Sequence, residues 1–471
     1  MLKRFEGPLK AALGLSLLMG VACGDDDNST PANPMDGGTP DASSIDSSVS
    51  PDATIVTPDG SVVPPPPPPA QKAVYAFTVG AATPDGAFQY VVLRDKLDFN
   101  FTLADLRGGK EFGGYAGIAG IGGHIIVGDA ETPFATKWKI EENLTWTEVG
   151  QKLNFSNYIT EDGDGLNFFF QAIKGSDMFL YYGPDRTSRV HWNVDEWKIL
   201  GEYKDTKLPV PPEGFTLGSN GNRGGIRDWK GPITQTFSIG NDTTRLPTDT
   251  SYIAVYDEAT KAEKAVLEIP CPAIQQATMD EEGNLYYGAV FAQIMVPQLY
   301  GQVKPTCMAK VLANGTLDPA LPPTDMKAWT GGFPGLNFRY LRNGKALLMV
   351  LRTDRLGQTT FEGAPDPALV AKVYGAFGTD DKYTFADKTV WEQRIVDIKA
   401  GTSKVITGWE NDLYNPHYMH AFTIEGRSFL IAQYDPYGDA KDTIYEVNVD
   451  TATVTKVADV PGTFGGVQRL R

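Results

Sequence analysis

Phe338-Arg-Tyr-Leu341, then Asn343-Gly344, then Ala346-Leu-Leu-Met-Val-Leu351 decides the fold. Asn-Gly between two apolar runs signals a β-hairpin, because both central residues of its tight turn need positive φ. The second run is apolar at every position, as a strand covered on both faces should be. Working outward, the same unit recurs. Toward the N-terminus it is Ile274–Met279 and Leu285–Val290 across Glu282-Gly283, Ile226–Trp229 with Ile233–Ile239, and Phe168–Ile173 with Met178–Tyr182. Before those come Tyr115–Ile121 with His124–Val127 across Gly122-Gly123, and Ala73–Val79 with Phe88–Leu93 across Pro84-Asp85-Gly86. Toward the C-terminus it is His420–Ile424 with Ser428–Tyr434 across Glu425-Gly426.

Second hairpins follow several of these. They are Thr136–Ile140 with Thr145–Val149, Ser251–Tyr256 with Glu263–Ile269, Trp391–Ile398 with Lys404–Thr407, and Thr443–Val449 with Thr453–Val457. Seven units across 73–471, at roughly 57 residues each, predict an all-β, seven-bladed β-propeller. The leftover strand Gly465–Leu470 is expected to pair with the first blade and close the ring, which removes exposed edges. In such a blade the hairpin turns share one face and the longer connections the other. The long connections here are Lys207–Gly225, Gly240–Thr250, Phe291–Pro305, Pro319–Gly335 and Leu356–Lys388, so their face is expected to do the work.

The chain ahead of residue 73 reads differently. Met1–Lys10 is basic, Ala11–Ala22 is apolar and too short to span a bilayer, and Gly20-Val21-Ala22-Cys23 ends it. That pattern predicts a lipoprotein signal peptide over 1–22, with the Cys23 thiol taking the lipid. Residues 23–72 hold Asp25–Asp27, many Ser and Pro, no aromatic residue, and the run Pro64–Pro69. With almost nothing to bury, this segment is expected to be a disordered, Pro/Asp/Ser-rich tether stiffened by polyproline II. The remaining cysteines, Cys271 and Cys307, read as one disulfide or as two buried thiols.

Net charge is −16 for the whole chain. The tether has eight Asp against one Lys, and the leading segment three basic residues against Glu6, which leaves −11 for 73–471. An acidic domain repels nucleic acid and anionic lipid headgroups, so neither is an expected partner.

Motifs for catalysis are missing. The mature chain has no Gly-x-Ser-x-Gly, no Ser-x-x-Lys, no His-Glu-x-x-His and no Cys-x-x-Cys, so no catalytic residue and no metal ligand is assigned. His417 and His420, flanking Tyr418, enter an inner strand; at spacing three they could share a metal or act on a ligand, and the competing reading is hydrogen-bonded structure. Arginine and aromatic residues gather at other strand entrances: Arg223, Arg227 and Trp229, then Arg339 and Tyr340, then Arg352, with Tyr115 opening the second unit. Arg beside Tyr or Trp suits a planar, anionic, aromatic ligand. The competing reading pairs these arginines with Asp228, Asp354 and similar neighbours. A propeller hydrolase, lactonase or lyase and a cell-surface interaction protein are the alternative functions.

Three stretches carry a family resemblance: Tyr90-Val-Val-Leu-Arg94, Leu103-Ala-Asp-Leu-Arg-Gly-Gly-Lys-Glu-Phe-Gly-Gly-Tyr115 and Thr136-Lys-Trp-Lys-Ile-Glu-Glu-Asn-Leu-Thr145. In these the chain resembles bacterial β-propeller lipoproteins encoded with siderophore and TonB-dependent uptake genes, and is similar to the lipoproteins of myxochelin-type siderophore clusters. The resemblance implies an outer-membrane lipoprotein, periplasmic or surface-facing, that captures a ferric siderophore and hands it to a TonB-dependent receptor. No cofactor of its own is implied; the ligand would bring Fe3+. No binding residue transfers from the family position by position.

Overall fold

The strands follow from where each segment can bury its side chains. Lys345–Leu351 is buried at six of its seven positions, because a blade lies between two others and both its faces are covered. Asn343 (φ 52°) and Gly344 (φ 69°) supply the two left-handed positions that turn the chain from Gly335–Arg342 into that strand. The computed structural model describes residues 72–83, 86–113, 116–129, 132–159, 170–183, 185–219, 230–290, 292–377, 383–384, 386–409, 420–432 and 441–471.

Seven sheets form a seven-bladed β-propeller. Each blade steps outward from an inner strand: Gly117–Ile121 in blade 2, Phe170–Lys174 in blade 3, Phe215–Ser219 in blade 4, Ile274–Met279 in blade 5, Gly335–Arg342 in blade 6 and His420–Ile424 in blade 7. Blade 1 is built differently. Its inner strand is the C-terminal Thr463–Arg469, paired with Tyr75–Thr83, and Leu470 N donates to Val74 O at 2.7 Å. The hairpin Tyr75–Thr83/Gly86–Arg94 is therefore the middle of a blade rather than its inner half. Aromatic packing locks this closure: Phe99 meets Phe429 of blade 7 at 5.0 Å and Phe464 at 5.9 Å.

Two sequence expectations change. The inner strand of blade 4 is Phe215–Ser219, whereas Ile226–Trp229 lies outside the described residues. Gly240–Thr250 is mostly strand, since Ile233–Asn241 and Pro247–Tyr256 pair directly.

Elsewhere the long connections build structure of their own. Between the second and third strands of blade 5 lie a turn, Ala292–Ile294, and a helix, Met295–Leu299. Between the same strands of blade 6 lie Thr353–Arg355, the helix Pro367–Tyr374, the hairpin Ala376–Phe377/Tyr383–Thr384 and the turn Lys388–Val390. Asp366 caps that helix by accepting from Ala368 N, and Pro367 opens it. The two insertions pack together through Ala292, Met295, Val296, Leu356, Leu369 and Val373. They form a helical cap over blades 5 and 6. Cys271 and Cys307 are disulfide-bonded, with Cα atoms 5.8 Å apart, and brace the base of the blade 5 insertion.

Candidate functional site

Of the residues expected to bind a ligand, Tyr115, Arg223, Arg227, Trp229, His417 and Tyr418 lie outside the described residues, as does Cys23. His420 begins the inner strand of blade 7, its backbone paired with Ile431. Arg339, Tyr340 and Arg352 are described, and their surroundings separate them.

Tyr340 belongs to the seam between blades 5 and 6. Its ring stacks on Tyr286 with centroids 5.1 Å apart. The hydroxyl donates to Glu281 and accepts from Gly344 N at 2.9 Å. Burial, then the Glu281 hydrogen bond, holds its proton well above the usual range. Arg352 sits at the cap with its donors occupied. It bonds Asp354 through Nε at 3.0 Å and Nη2 at 2.7 Å, and Glu392 through Nη1 at 2.7 Å. Glu392 is shared with Arg394 at 2.6 Å and Arg355 at 3.5 Å. This is the paired arrangement of arginine and carboxylate.

Arg339 has no such neighbours. It is 9% exposed, and among the described residues no carboxylate forms an ion pair with it and its Nε meets no acceptor. Burial lowers its pKa to about 10. A register shift between Leu336 and Arg339, with Asn337 at φ 55°, bends the strand at this point. Phe338 and Tyr340 pack toward blade 5, while Leu341 joins the apolar cluster shared with blade 7. Strand alternation puts Arg339 on the Leu341 side. The Thr423 hydroxyl of blade 7 donates to Leu341 O at 3.0 Å. That hydrogen bond joins the inner strands of blades 6 and 7 on this side of blade 6. A buried guanidinium without a counter-charge costs several kcal/mol. An anionic guest would remove that cost.

Sequence reading missed other buried polar groups near the inner strands. Gln275 of blade 5 and Gln235 of blade 4 each keep an Oε1 without a donor, and Gln235 Nε2 donates to Ser219. Alternation gives a weak sequence signal for them, since both lie inside otherwise buried strands.

A separate buried network, also missed, joins blades 3 and 4 farther from the axis. Arg189 pairs with Asp205 with both side chains fully buried, donates to Lys261 O at 2.9 Å, and lies 3.8 Å over the Tyr256 ring. Tyr256 OH donates to Asp205 at 2.9 Å. Asp177 nearby bonds His191 at 3.0 Å and Lys261 at 2.9 Å. Every charge there is matched, so the network staples two blades. Among the described residues no group of three metal-ligating side chains gathers.

No protein-family model and no curated protein matches the sequence. Solved structures resemble it in fold. Apo AztD from Citrobacter koseri aligns at 10% identity and a TM-score of 0.36, covering 84% of this chain and 97% of its own. A protein from Lactobacillus plantarum aligns at 10% identity and 0.43, covering 85% and 100%. The β-propeller domain of the Trilobed protease from Pyrococcus furiosus aligns at 7% identity and 0.37, covering 84% and 94%.

Proposed function

We propose that this chain is a membrane-tethered, ligand-binding propeller that captures an anionic, aromatic small molecule such as a ferric siderophore. The observation that carries the reading is Arg339, a buried cation on an inner strand with no carboxylate beside it among the described residues. A ferric catecholate complex supplies the missing negative charge and presents flat aromatic edges to the neighbouring strands. Its iron-bound oxygens, which carry the negative charge, would accept from Arg339. The lipid at Cys23 and the tether to residue 72 would hold the domain at the outer membrane, where a TonB-dependent receptor could take the ligand over.

Equilibrium dialysis of the mature protein against an iron-labelled tris-catecholate tests the ligand. Retention of the ferric complex, but of neither Fe3+ alone nor the iron-free catechol, supports the proposal; equal retention of all three, or of none, contradicts it. Labelled palmitate should appear on the native chain and not on Cys23→Ser, which should leave the membrane fraction.

A further inference from the structure

Whereas Arg339 belongs to blade 6, a cleft lies at the seam of blades 1 and 2. Its volume is about 340 Å3. The outer strand Lys110–Gly113 of blade 1 forms one wall and the third strand of blade 2, Phe134–Ile140, the other, with Ala116 and Val127 beneath.

Phe112, Phe134 and Trp138 make the walls aromatic. The Trp138 ring is fixed in place: its Nε1 donates to Thr136 Oγ1 at 3.2 Å, and Trp146 supports it at 6.2 Å. Lys110 holds its ammonium 3.5 Å above the Trp138 ring centroid and 5.6 Å from that of Trp146. No carboxylate pairs with that ammonium among the described residues, so its donors are free for a guest. At the rim Glu148 and Lys152 are exposed, and neither forms an ion pair among the described residues. Glu111 and Asp129 complete the polar lining.

The charges decide the ligand class. Two ammonium groups stand against three carboxylates, so an anion meets repulsion from Glu111, Asp129 and Glu148, and a cation from Lys110 and Lys152. A neutral molecule that carries both donors and acceptors, with an apolar face for the aromatic walls, fits both sets. That is the chemistry of a pyranose ring. We propose that the cleft between blades 1 and 2 binds neutral saccharide, with a sugar face on Phe112 and Phe134 and its hydroxyls shared between Glu148 and Lys110, which the Trp138 ring holds in place.

Saturation-transfer NMR and calorimetry on the full chain, with maltopentaose, cellopentaose and chitopentaose as probes and oligogalacturonate as the charged control, test this. At least one neutral oligomer should bind in the millimolar range or tighter, with transfer strongest to ring C–H protons. Trp138→Ala should weaken it about tenfold, and the exposed Glu148→Gln, which cannot unfold the seam, about fivefold. Arg339→Met should bind the sugar unchanged, which separates this site from the one proposed at Arg339. Absence of saturable binding to every neutral probe, binding to oligogalacturonate alone, or binding indifferent to both cleft substitutions overturns the proposal.

Discussion

The Thr423 hydroxyl of blade 7 donates to the carbonyl of Leu341 in blade 6 at 3.0 Å, and this contact fixes how the two inner strands lie against each other. It sets one side of the Gly335–Arg342 strand, the side to which alternation assigns Arg339, toward the His420–Ile424 strand. The guanidinium is buried, and among the described residues no carboxylate pairs with it. Arg339→Met keeps most of the volume and removes the buried charge, so the ligand-free protein should gain about 1–2 kcal/mol in denaturant unfolding. Loss of stability instead would mean that Arg339 is a structural group.

The Arg189–Asp205 pair should behave in the opposite way. Both side chains are fully buried and matched. Arg189→Ala leaves Asp205 and Tyr256 facing each other without a cation, and should cost about 3–5 kcal/mol. The double change Arg189→Met with Asp205→Leu should recover most of that loss. Urea unfolding of the three proteins measures both effects.

The disulfide closes a sequence separation of 36 residues at the foot of the blade 5 insertion. On the chain-entropy model, its removal by Cys271→Ser with Cys307→Ser should cost about 3–4 kcal/mol. Proteolysis of the variant should begin in the 292–306 segment if the bridge holds the cap in place.

Acid should weaken blade 7 through Asp459. Partial burial pushes its carboxyl up, but hydrogen bonds from Lys441, Lys456 and Thr443 hold it at about 2. A carboxylate depressed from its ordinary value of about 3.9 stabilises the fold above that pH, and the contribution fades as pH falls from about 4 to 2. Melting temperature should drop across that window, and Asp459→Asn should flatten this part of the profile.

The repeat was legible because blade strands are covered on both faces, and runs such as Ala346–Leu351 announce it locally. The inner strand of blade 4 was not. Phe215–Ser219 is short, has only Phe215 and Leu217 as large apolar residues, and lies inside Lys207–Gly225, a stretch that reads as a connection. The closing strand was legible too: Gly465–Leu470 was expected to pair with the first blade, and Thr463–Arg469 does so as its inner strand, which moves the first hairpin to the middle of that blade. Distance along the chain did hide part of the arginine pairing. Arg352 looked as available as Arg339, but one of its partners, Glu392, stands 40 residues away in sequence. Pairing across a sheet is invisible to spacing.

Quenching of tryptophan fluorescence by a ferric tris-catecholate, titrated into native protein and into Arg339→Met in parallel, tests the central claim most directly. The native chain should give a saturable curve, and the variant should need at least about tenfold more ligand. Identical curves for the two proteins, or no saturable quenching of the native one, would contradict a binding site built on Arg339.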